Sequence, residues 1–200
     1  MMDAIRILDC AFSIICLILI SPFLLLIALV VKLTSRGPVF YKQVRVGKDG
    51  RDFKLYKFRT MQVDADKKGL LTVGGRDNRI TAIGYYLRKF KMDELPQVIN
   101  VLKGEMSVVG PRPEVRRYVD LYNAEQRKVL SVLPGITDYA SIAYRNENEL
   151  LAKAADPEAF YVREIMPRKI ELNNTFISNR SLKEYFYIIY KTVLISIKGK

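Results

Sequence analysis

The sequence predicts an α+β protein in which an N-terminal membrane helix precedes a small domain built from a β-hairpin and short helices. Three observations predict this fold class. Residues 10–31 form an uncharged apolar run, strand-like alternation surrounds the turn signal Asp49 and Gly50, and several helix-start signals follow along the chain. We expect residues 1–35 to form a membrane anchor and residues 36–200 to form the second domain.

The apolar run is long enough to enter a bilayer deeply. Residues 10–31 carry no charge, whereas Arg6 and Asp9 precede the run and Lys32 follows it. At about 1.5 Å per residue such a helix is roughly 33 Å long, about the thickness of a bilayer core. Because the run lacks a small-x-small cleavage motif and charges flank it on both sides, a removable secretory signal is not expected.

Ser21 and Pro22 lie near the middle of this run. Proline removes one backbone hydrogen bond and clashes with the preceding turn, so we predict a kink or a break there. We expect Ser21 or a nearby group to satisfy the carbonyl group that Pro22 leaves unpaired. Hydropathy is compatible with a kinked span and equally with a re-entrant hairpin that enters and leaves through one face.

The rest of the chain is strongly basic. The net charge is +12, which favours anionic lipid head groups and phosphate-bearing ligands as partners. The sequence has no helix-turn-helix, RNP, KH or zinc-finger pattern, so nucleic acid is not an expected partner. Histidine is absent, and the two cysteines, Cys10 and Cys16, lie in the apolar run. Any acid, base, nucleophile or metal ligand is therefore expected among carboxylates, hydroxyls, lysines and arginines.

Residues 39–60 predict two strands joined at Asp49 and Gly50. In the second strand the two-residue period places Lys57 and Arg59 on one face, after two apolar residues of the same face. A solvated strand end is the ordinary interpretation of this pattern. The alternative is that the strand brings Lys57 and Arg59 to an anion-binding site.

Polar and helical segments alternate after the hairpin. Residues 63–78 are polar and contain glycines, which predicts a mobile, lid-like loop. Thr81 predicts the cap of a short helix that carries Ile83, Leu87 and Phe90 inward, and residues 118–133 predict a longer helix. Further caps are predicted at Asp156, which precedes Pro157, and at Ser181, which precedes Glu184 by three residues. The last helix has an apolar stripe that suits either a core or an interfacial amphipathic helix.

Asp93 and Glu94 form an acidic pair between basic segments. Arg88 precedes the pair, and Arg112 follows it between Pro111 and Pro113. Adjacent carboxylates ringed by cations suit a metal ion together with a phosphorylated substrate. The pair also matches an ordinary helix start with Asp93 as the N-cap, and both interpretations are compatible because a helix N-terminus stabilises an ionised carboxylate. The flanking prolines restrict the backbone of Arg112, which makes it a candidate phosphate clamp.

Five motifs taken together resemble the bacterial sugar transferases, also called monotopic phosphoglycosyl transferases. They follow that family's order and spacing, and the resemblance covers essentially the whole chain. The motifs are Tyr56-Lys57-Phe58-Arg59-Thr60-Met61, Asp93-Glu94-Leu95-Pro96-Gln97, Asn100-Val101-Leu102-Lys103-Gly104-Glu105-Met106-Ser107, Val109-Gly110-Pro111-Arg112-Pro113-Glu114 and Pro134-Gly135-Ile136-Thr137.

The resemblance implies a transferase of the bacterial inner membrane. Such an enzyme moves a sugar-1-phosphate from a UDP-sugar to undecaprenyl phosphate, releases UMP and initiates a surface glycan or a glycoprotein glycan. The resemblance places the domain monotopically on the cytoplasmic face, in contact with inner-membrane lipids and with downstream glycosyltransferases as further partners. It also implies that Ser21 and Pro22 break a re-entrant helix whose ends both face the cytoplasm.

The resemblance assigns roles to individual residues. Asp93 would be the nucleophile that forms a covalent phosphosugar intermediate, and Glu94 would be a Mg²⁺ ligand. The phosphate-binding cations would be Arg59, Arg88 and Arg112 with Lys57, and weaker substrate contacts would come from Arg145, Pro111 and Pro113. The chain departs from many members of the family at residues 138–145, which puts the recognition of sugar and uridine in question.

Two other functions are compatible with the sequence. A non-catalytic, membrane-attached basic scaffold of a glycan-assembly complex would share the charge and the anchor. It would not require clustered carboxylates inside a basic site. A membrane-associated phosphatase could use the same acidic pair and metal with water as the acceptor, and it would form no polyprenyl diphosphate sugar.

Overall fold

The computed structural model describes residues 2–65, 71 and 77–198. Helices and short strands are mixed in it, so the predicted α+β class is confirmed. The first helix, α1, is Met2–Thr34 and contains Pro22. Its helical residues continue through Ser21 and Pro22, which excludes an interruption of the helix, and the kink expected there stays a prediction. Ser21 Oγ donates to the Ile18 carbonyl oxygen at 3.1 Å. This is the carbonyl that Pro22 cannot bond, and its predicted satisfaction by Ser21 is confirmed.

Both ends of α1 pack against the rest of the chain. Ile5 joins a buried cluster with Val101 and Met106, and Val31 packs with Phe58 in another cluster. Between these ends, residues 14–26 contain no fully buried side chain. Exposed apolar side chains in this stretch include Ile14, Ile15, Ile18, Leu19, Phe23, Leu25 and Leu26.

One helix among the described residues is long and apolar enough to cross a membrane. It covers Ala4–Thr34 with a mean hydropathy of 3.2. Its middle is exposed, unlike the core helix of a soluble domain, and a contiguous apolar surface of this size marks contact with lipid or protein. The helix indicates membrane association, as the uncharged run predicts.

The predicted β-hairpin is confirmed. Strand β1, Phe40–Val46, pairs antiparallel with β2, Asp52–Phe58, and Phe40 lies opposite Phe58. The connecting turn has Asp49 at φ 56° and Gly50 at φ 74°, the left-handed conformation that Asp-Gly pairs adopt readily. Leu55 and Phe58 are buried, so β2 is held rigidly against the core up to its last residue.

Short elements connect the hairpin to the second half of the chain. Helix α2, Ala82–Lys89, is capped by Thr81, which accepts a hydrogen bond from the Gly84 N–H. The predicted cap is confirmed, but Phe90 is exposed and its predicted inward orientation is wrong. A 3₁₀ turn, Met92–Glu94, and helix α3, Gln97–Leu102, follow.

A two-stranded parallel sheet joins distant parts of the chain. Strand β3, Ser107–Val109, pairs with β4, Gly135–Thr137. The backbones beside this sheet are in close contact, because a Cβ atom on Gly135 would lie 2.1 Å from the backbone nitrogen of Gly110. Only glycine therefore fits at position 135.

The remaining helices enclose the domain. The predicted helix over residues 118–133 is wrong, because two short elements separated by a turn replace it. The caps predicted at Asp156 and Ser181 are confirmed.

The loop predicted over residues 63–78 lies mostly outside the described residues. The elements in chain order are α4 Arg116–Val119, a 3₁₀ helix Gln126–Ser131, α5 Tyr139–Ala143, α6 Glu147–Ala152, α7 Pro157–Phe160, a π-helical turn Tyr161–Ile165, α8 Met166–Ser178 and α9 Leu182–Lys198.

Helix α9 has one buried and one exposed apolar surface. Tyr185 and Ile188 are buried, whereas Phe186, Tyr187 and Tyr190 are exposed. One helix therefore has both a core surface and an exposed apolar surface, the two alternatives given for its apolar stripe. The exposed aromatic surface suits the membrane interface, where aromatic rings are enriched.

Candidate active site

The acidic pair lies in the 3₁₀ turn between α2 and α3. Lys91 precedes the turn with φ 56° and ψ 19°, a left-handed conformation that redirects the chain after α2. Asp93 lies inside the turn, and α3 begins only after Pro96. The prediction of Asp93 as a helix N-cap is therefore wrong. The reason is that Pro96 has no N–H and cannot continue the hydrogen bonding of the turn into the helix.

Glu94 is the centre of an ion-pair cluster. Its Oε1 atom accepts a hydrogen bond from Lys57 Nζ at 2.8 Å and a second from the Arg112 guanidinium. The exposed fractions of the Glu94 and Lys57 side chains are 15% and 17%, and that of Arg112 is 31%. The cluster joins the end of β2, the 3₁₀ turn and the loop after β3, so three distant segments of the sequence meet at one carboxylate.

The two carboxylates of the pair have different electrostatic environments. Asp93 is 5% exposed, and its Oδ1 atom accepts no hydrogen bond from any described residue. Burial, followed by the neighbouring charge of Glu94, raises the pKa of Asp93, while Lys57, Arg88 and Lys91 oppose this rise.

The pKa of Glu94 shifts in the opposite direction from that of Asp93. Burial alone would raise the pKa of Glu94, but Arg112 and Lys57 hold it well below its usual range. Burial lowers the pKa of Lys57, because it disfavours the charged ammonium. The charge of Glu94 raises the pKa of Arg112. Glu94 is thus a stable anion, whereas Asp93 is a poorly solvated carboxylate with an unpaired oxygen. Pairs of this kind, with pKa values displaced apart, are typical of catalytic sites.

Asp138 supports the Arg112 loop and was missed by the sequence analysis. Its side chain is fully buried, and Oδ2 accepts from the Arg112 N–H at 2.9 Å and from Asn173 Nδ2 at 2.8 Å. Oδ1 accepts from the Ser141 N–H at 2.5 Å, which caps α5. One carboxylate therefore fixes the backbone of the arginine to both α5 and α8. The N-cap pattern before α5 was the available signal.

Asn100 supports the other side of the cluster and was also missed. It is fully buried in α3. Its Oδ1 atom accepts from the Tyr56 N–H at 3.0 Å, and its Nδ2 atom donates to the Lys54 carbonyl at 2.8 Å. These bonds hold β2 against α3 and thereby fix the distance between Lys57 and the acidic pair.

Other predicted site residues lie in different surroundings. Arg59 is buried and donates to the Ser35 carbonyl and hydroxyl, both at 2.7 Å, so the structure places it at the end of α1. Its Nε and NH1 atoms have no partner among the described residues. Arg145 is exposed and donates to the Ile195 carbonyl in α9. Pro111 and Pro113 are buried beside Arg112, as expected for residues that restrict its backbone.

The acidic pair fits a magnesium ion better than a metal that needs a complete protein cage. No cluster of three or more acidic or cysteine ligands occurs in residues 2–65, 71 and 77–198. Mg²⁺ is commonly bound through one or two carboxylates, with water and substrate phosphates completing its coordination. Glu94 supplies one such carboxylate, and the neighbouring Asp93 keeps an oxygen without a partner among the described residues.

Comparisons with known proteins identify the family of the chain. The sequence profile described as "Bacterial sugar transferase" matches residues 2–199. The chain is 38% identical over 196 residues to the UDP-N-acetylgalactosamine-undecaprenyl-phosphate N-acetylgalactosaminephosphotransferase of Aeromonas hydrophila, covering 96% of this chain and 43% of the relative. It is 41% identical over 200 residues to the UDP-glucose:undecaprenyl-phosphate glucose-1-phosphate transferase of Escherichia coli K12, covering 96% of this chain and 40% of the relative.

A shorter relative is matched over most of its own length. The exopolysaccharide production protein ExoY of Sinorhizobium fredii is 32% identical over 200 residues, covering 92% of this chain and 81% of ExoY. By contrast, the chain spans about two fifths of the Aeromonas and Escherichia transferases. The family match extends over nearly the entire chain and confirms the resemblance predicted from the motifs. The chain belongs to the bacterial sugar transferase family.

Proposed function

We propose that this chain transfers a sugar-1-phosphate from a UDP-sugar to undecaprenyl phosphate, releases UMP and thereby initiates assembly of a bacterial glycan. The observation that carries the proposal is the cluster of Asp93 and Glu94 with Lys57 and Arg112. The names of the Aeromonas and Escherichia relatives describe this reaction for those proteins. The two relatives use different sugars, although this chain is about equally similar to both. The donor sugar of this chain therefore has to be found by experiment.

In the first step, an Asp93 carboxylate oxygen attacks the phosphorus that carries the sugar. A bond forms between Asp93 and phosphorus, the bond from this phosphorus to the oxygen of UMP breaks, and UMP leaves with the electron pair. Burial supports this role, because a poorly solvated carboxylate with an unpaired oxygen has little solvent to lose before it attacks.

In the second step, a phosphate oxygen of undecaprenyl phosphate attacks the same phosphorus. The bond to Asp93 breaks, so the carboxylate is restored and undecaprenyl diphosphate sugar is formed. Each step exchanges one phosphorus–oxygen bond for another and requires no oxidant or reductant. The alternative of a phosphatase differs only in the acceptor, which would be water.

The cations of the cluster would stabilise the charge of the transferring phosphate. Arg112 offers a planar fork that can bind two phosphate oxygens, and Lys57 and Arg88 add positive charge beside Asp93. Glu94 would hold Mg²⁺, which when bound would neutralise phosphate oxygens. Lys57 and Arg112 keep Glu94 ionised, which is the form in which a carboxylate binds a metal ion.

We infer that α1 is re-entrant and that both of its ends lie on the cytoplasmic face of the inner membrane. Near its start, Arg6 donates to the Val101 carbonyl at 2.6 Å, and Asp9 accepts from the Val108 N–H at 3.0 Å. Near its end, Val31 packs beside Phe58 of β2. A helix that crossed the bilayer would separate these two attachments, whereas a re-entrant helix keeps them together.

The proposal is tested by measuring UMP release from a panel of UDP-sugars with undecaprenyl phosphate and Mg²⁺. We expect one or a few sugars to give UMP and undecaprenyl diphosphate sugar in equal amounts. Formation of free sugar phosphate without the lipid product would identify a phosphatase. Absence of turnover with every sugar would contradict the transferase and favour the scaffold.

A further inference from the structure

A cavity of about 170 Å³ lies behind the loop that carries Arg112. We call it the Lys169 cavity and define it by six of its polar lining residues, Arg45, Arg112, Glu114, Glu147, Tyr161 and Lys169. Arg112 belongs both to this lining and to the ion pair with Glu94. The cavity therefore adjoins the proposed catalytic cluster through Arg112, and residues of the loop, α6 and α8 line it.

The charges in the lining form pairs. Arg45 NH1 lies 3.1 Å from Glu114 Oε1, and Lys169 Nζ lies 2.8 Å from Glu147 Oε2. These four side chains keep 17–24% of their surface exposed, and the Tyr161 hydroxyl donates to Glu114. Arg112 is balanced by Glu94 just outside the lining. Because every cation of the lining is thus paired with an anion, the cavity offers many hydrogen-bonding groups without an unpaired charge. Such a lining suits a neutral ligand with several hydroxyl or amide groups.

The aromatic side chains of the cavity are poorly placed to stack on a nucleobase. Tyr118, Tyr122 and Tyr161 line it, but they are at most 9% exposed and belong to the hydrophobic core. Lys169 Nζ also lies 5.4 Å from the centre of the Tyr161 ring. Ligand pockets for larger molecules typically measure about 300–1,000 Å³. A cavity of 170 Å³ therefore suits one component of a nucleotide sugar rather than the whole molecule.

We propose that the Lys169 cavity binds the glycosyl group of the nucleotide-sugar donor and determines which sugar is accepted. This inference rests on the proposed function. In that reaction the phosphorus attacked by Asp93 carries the sugar directly, whereas the uridine is one phosphate farther away. The group that enters a cavity beginning at Arg112 is accordingly the sugar. Lys169 and Glu147 act as its hydrogen-bond donor and acceptor.

The test compares equilibrium binding of UDP-sugars with binding of UDP, because these ligands differ only in the sugar. The parent for this test is the full chain with Asp93→Asn, which cannot form the covalent adduct, so that binding reaches equilibrium without reaction. In lipid nanodiscs it is titrated calorimetrically with UDP-glucose, UDP-N-acetylgalactosamine, a wider panel of UDP-sugars and UDP, all with Mg²⁺. The variants are Lys169→Met, which keeps the aliphatic stem, and Glu147→Gln, which keeps the shape. Lys128→Met is the matched control, because Lys128 forms an exposed pair with Glu125 outside the cavity.

We expect both cavity variants to raise the Kd of the preferred UDP-sugar about tenfold and to change the Kd of UDP less than twofold. The control should change neither. Unchanged UDP-sugar binding in a folded cavity variant would overturn the proposal, as would equal affinity of the parent chain for UDP and all UDP-sugars. A parallel loss of UDP binding would assign the cavity to the nucleotide instead.

Failure of the proposed function gives a different result. If the unmodified chain binds a UDP-sugar more tightly than UDP but releases no UMP with undecaprenyl phosphate, the transferase assignment fails and the sugar site remains. If Lys169→Met does not fold, Glu147→Gln decides, because it removes a charge without removing volume. Binding to neither UDP nor any UDP-sugar would contradict both proposals.

Discussion

Neutralising each carboxylate of the acidic pair separately should change the stability of the protein in opposite directions. The folded-state pKa of Asp93 is raised by burial, so the folded chain holds this proton more tightly than the unfolded chain. Stability then falls as the pH rises from the ordinary aspartate pKa of about 3.9 through the folded value. At neutral pH the ionised Asp93 destabilises the fold, and Asp93→Asn removes that effect.

Ionised Glu94 has the opposite effect and stabilises the fold. Its folded-state pKa lies well below the usual range because of Arg112 and Lys57. Its stabilising contribution is present above the ordinary glutamate pKa of about 4.3 and is lost as the pH falls through the folded value. Glu94→Gln leaves Lys57 and Arg112 without their shared anion.

The magnitude for Glu94→Gln follows from the burial of the cluster. Removing one partner of a fully buried pair costs about 3–5 kcal/mol. The three side chains remain 15–31% exposed, so solvent screening reduces the expected cost to about 1–3 kcal/mol. For a chain of this size, 1 kcal/mol shifts the unfolding midpoint by roughly 2–4 °C. We expect a decrease of about 2–12 °C for Glu94→Gln and an increase of a few degrees for Asp93→Asn.

Thermal unfolding of the detergent-solubilised chain, followed by circular dichroism in EDTA, measures both effects. The increase for Asp93→Asn should shrink as the pH is lowered from 7.5 toward the ordinary aspartate pKa, because protonation removes the same charge as the substitution. Glu125→Gln, in an exposed pair with Lys128, is the control and should change the midpoint by less than 1 °C. A lower midpoint for Asp93→Asn at pH 7.5 would refute the assignment of Asp93 as a destabilising buried anion.

Three further predictions concern the arginine loop and the membrane helix. Arg112→Lys should reduce the rate of UMP release about a hundredfold, because an ammonium cannot form the two-pronged contact of a guanidinium. Asp138→Asn should lower kcat at least about tenfold. The carboxylate accepts hydrogen bonds from the N–H groups of Arg112 and Ser141, and an amide would turn an NH₂ group toward one of these donors and displace the arginine. A cysteine at Met2 in a variant without native cysteines should not react with an impermeant thiol reagent outside intact cells, because α1 returns to the cytoplasmic face.

Each of these predictions has a control. Arg117→Lys alters an arginine in an exposed pair with Glu158 and should keep full activity, so equal effects of Arg112→Lys and Arg117→Lys would make Arg112 structural. Asp156→Asn alters another N-cap, at α7. A similar loss of kcat there would remove the special role of Asp138. Labelling of the Met2 cysteine before cell lysis would mean that α1 crosses the membrane.

Local sequence signals predicted the elements that depend on neighbouring residues. The hairpin followed from Asp49 and Gly50, because their left-handed conformations are specified by residue type. The caps at Thr81 and Asp156 followed from side chains that bond to N–H groups two or three residues away. The charge pattern around Glu94 likewise anticipated that cations would gather at one carboxylate.

Features that depend on distant contacts were not predictable in this way. The parallel pairing of β3 and β4 uses strands of three residues each, too short to show a periodic pattern. Asp138 gains its role from Arg112 and Asn173, which lie 26 and 35 residues away. The motif placed Arg59 with the phosphate-binding cations, but packing against the end of α1 gives its guanidinium a different partner, Ser35.

The most direct test of the central claim is to look for the covalent intermediate on Asp93. The chain is incubated with Mg²⁺ and the preferred UDP-sugar without undecaprenyl phosphate, quenched rapidly and analysed by intact-mass spectrometry. We predict a mass increase equal to one sugar phosphate, its loss when undecaprenyl phosphate is added, and its absence in Asp93→Asn. Stoichiometric formation of the same adduct in Asp93→Asn, or lipid product without any adduct in the unmodified chain, would contradict Asp93 as the nucleophile.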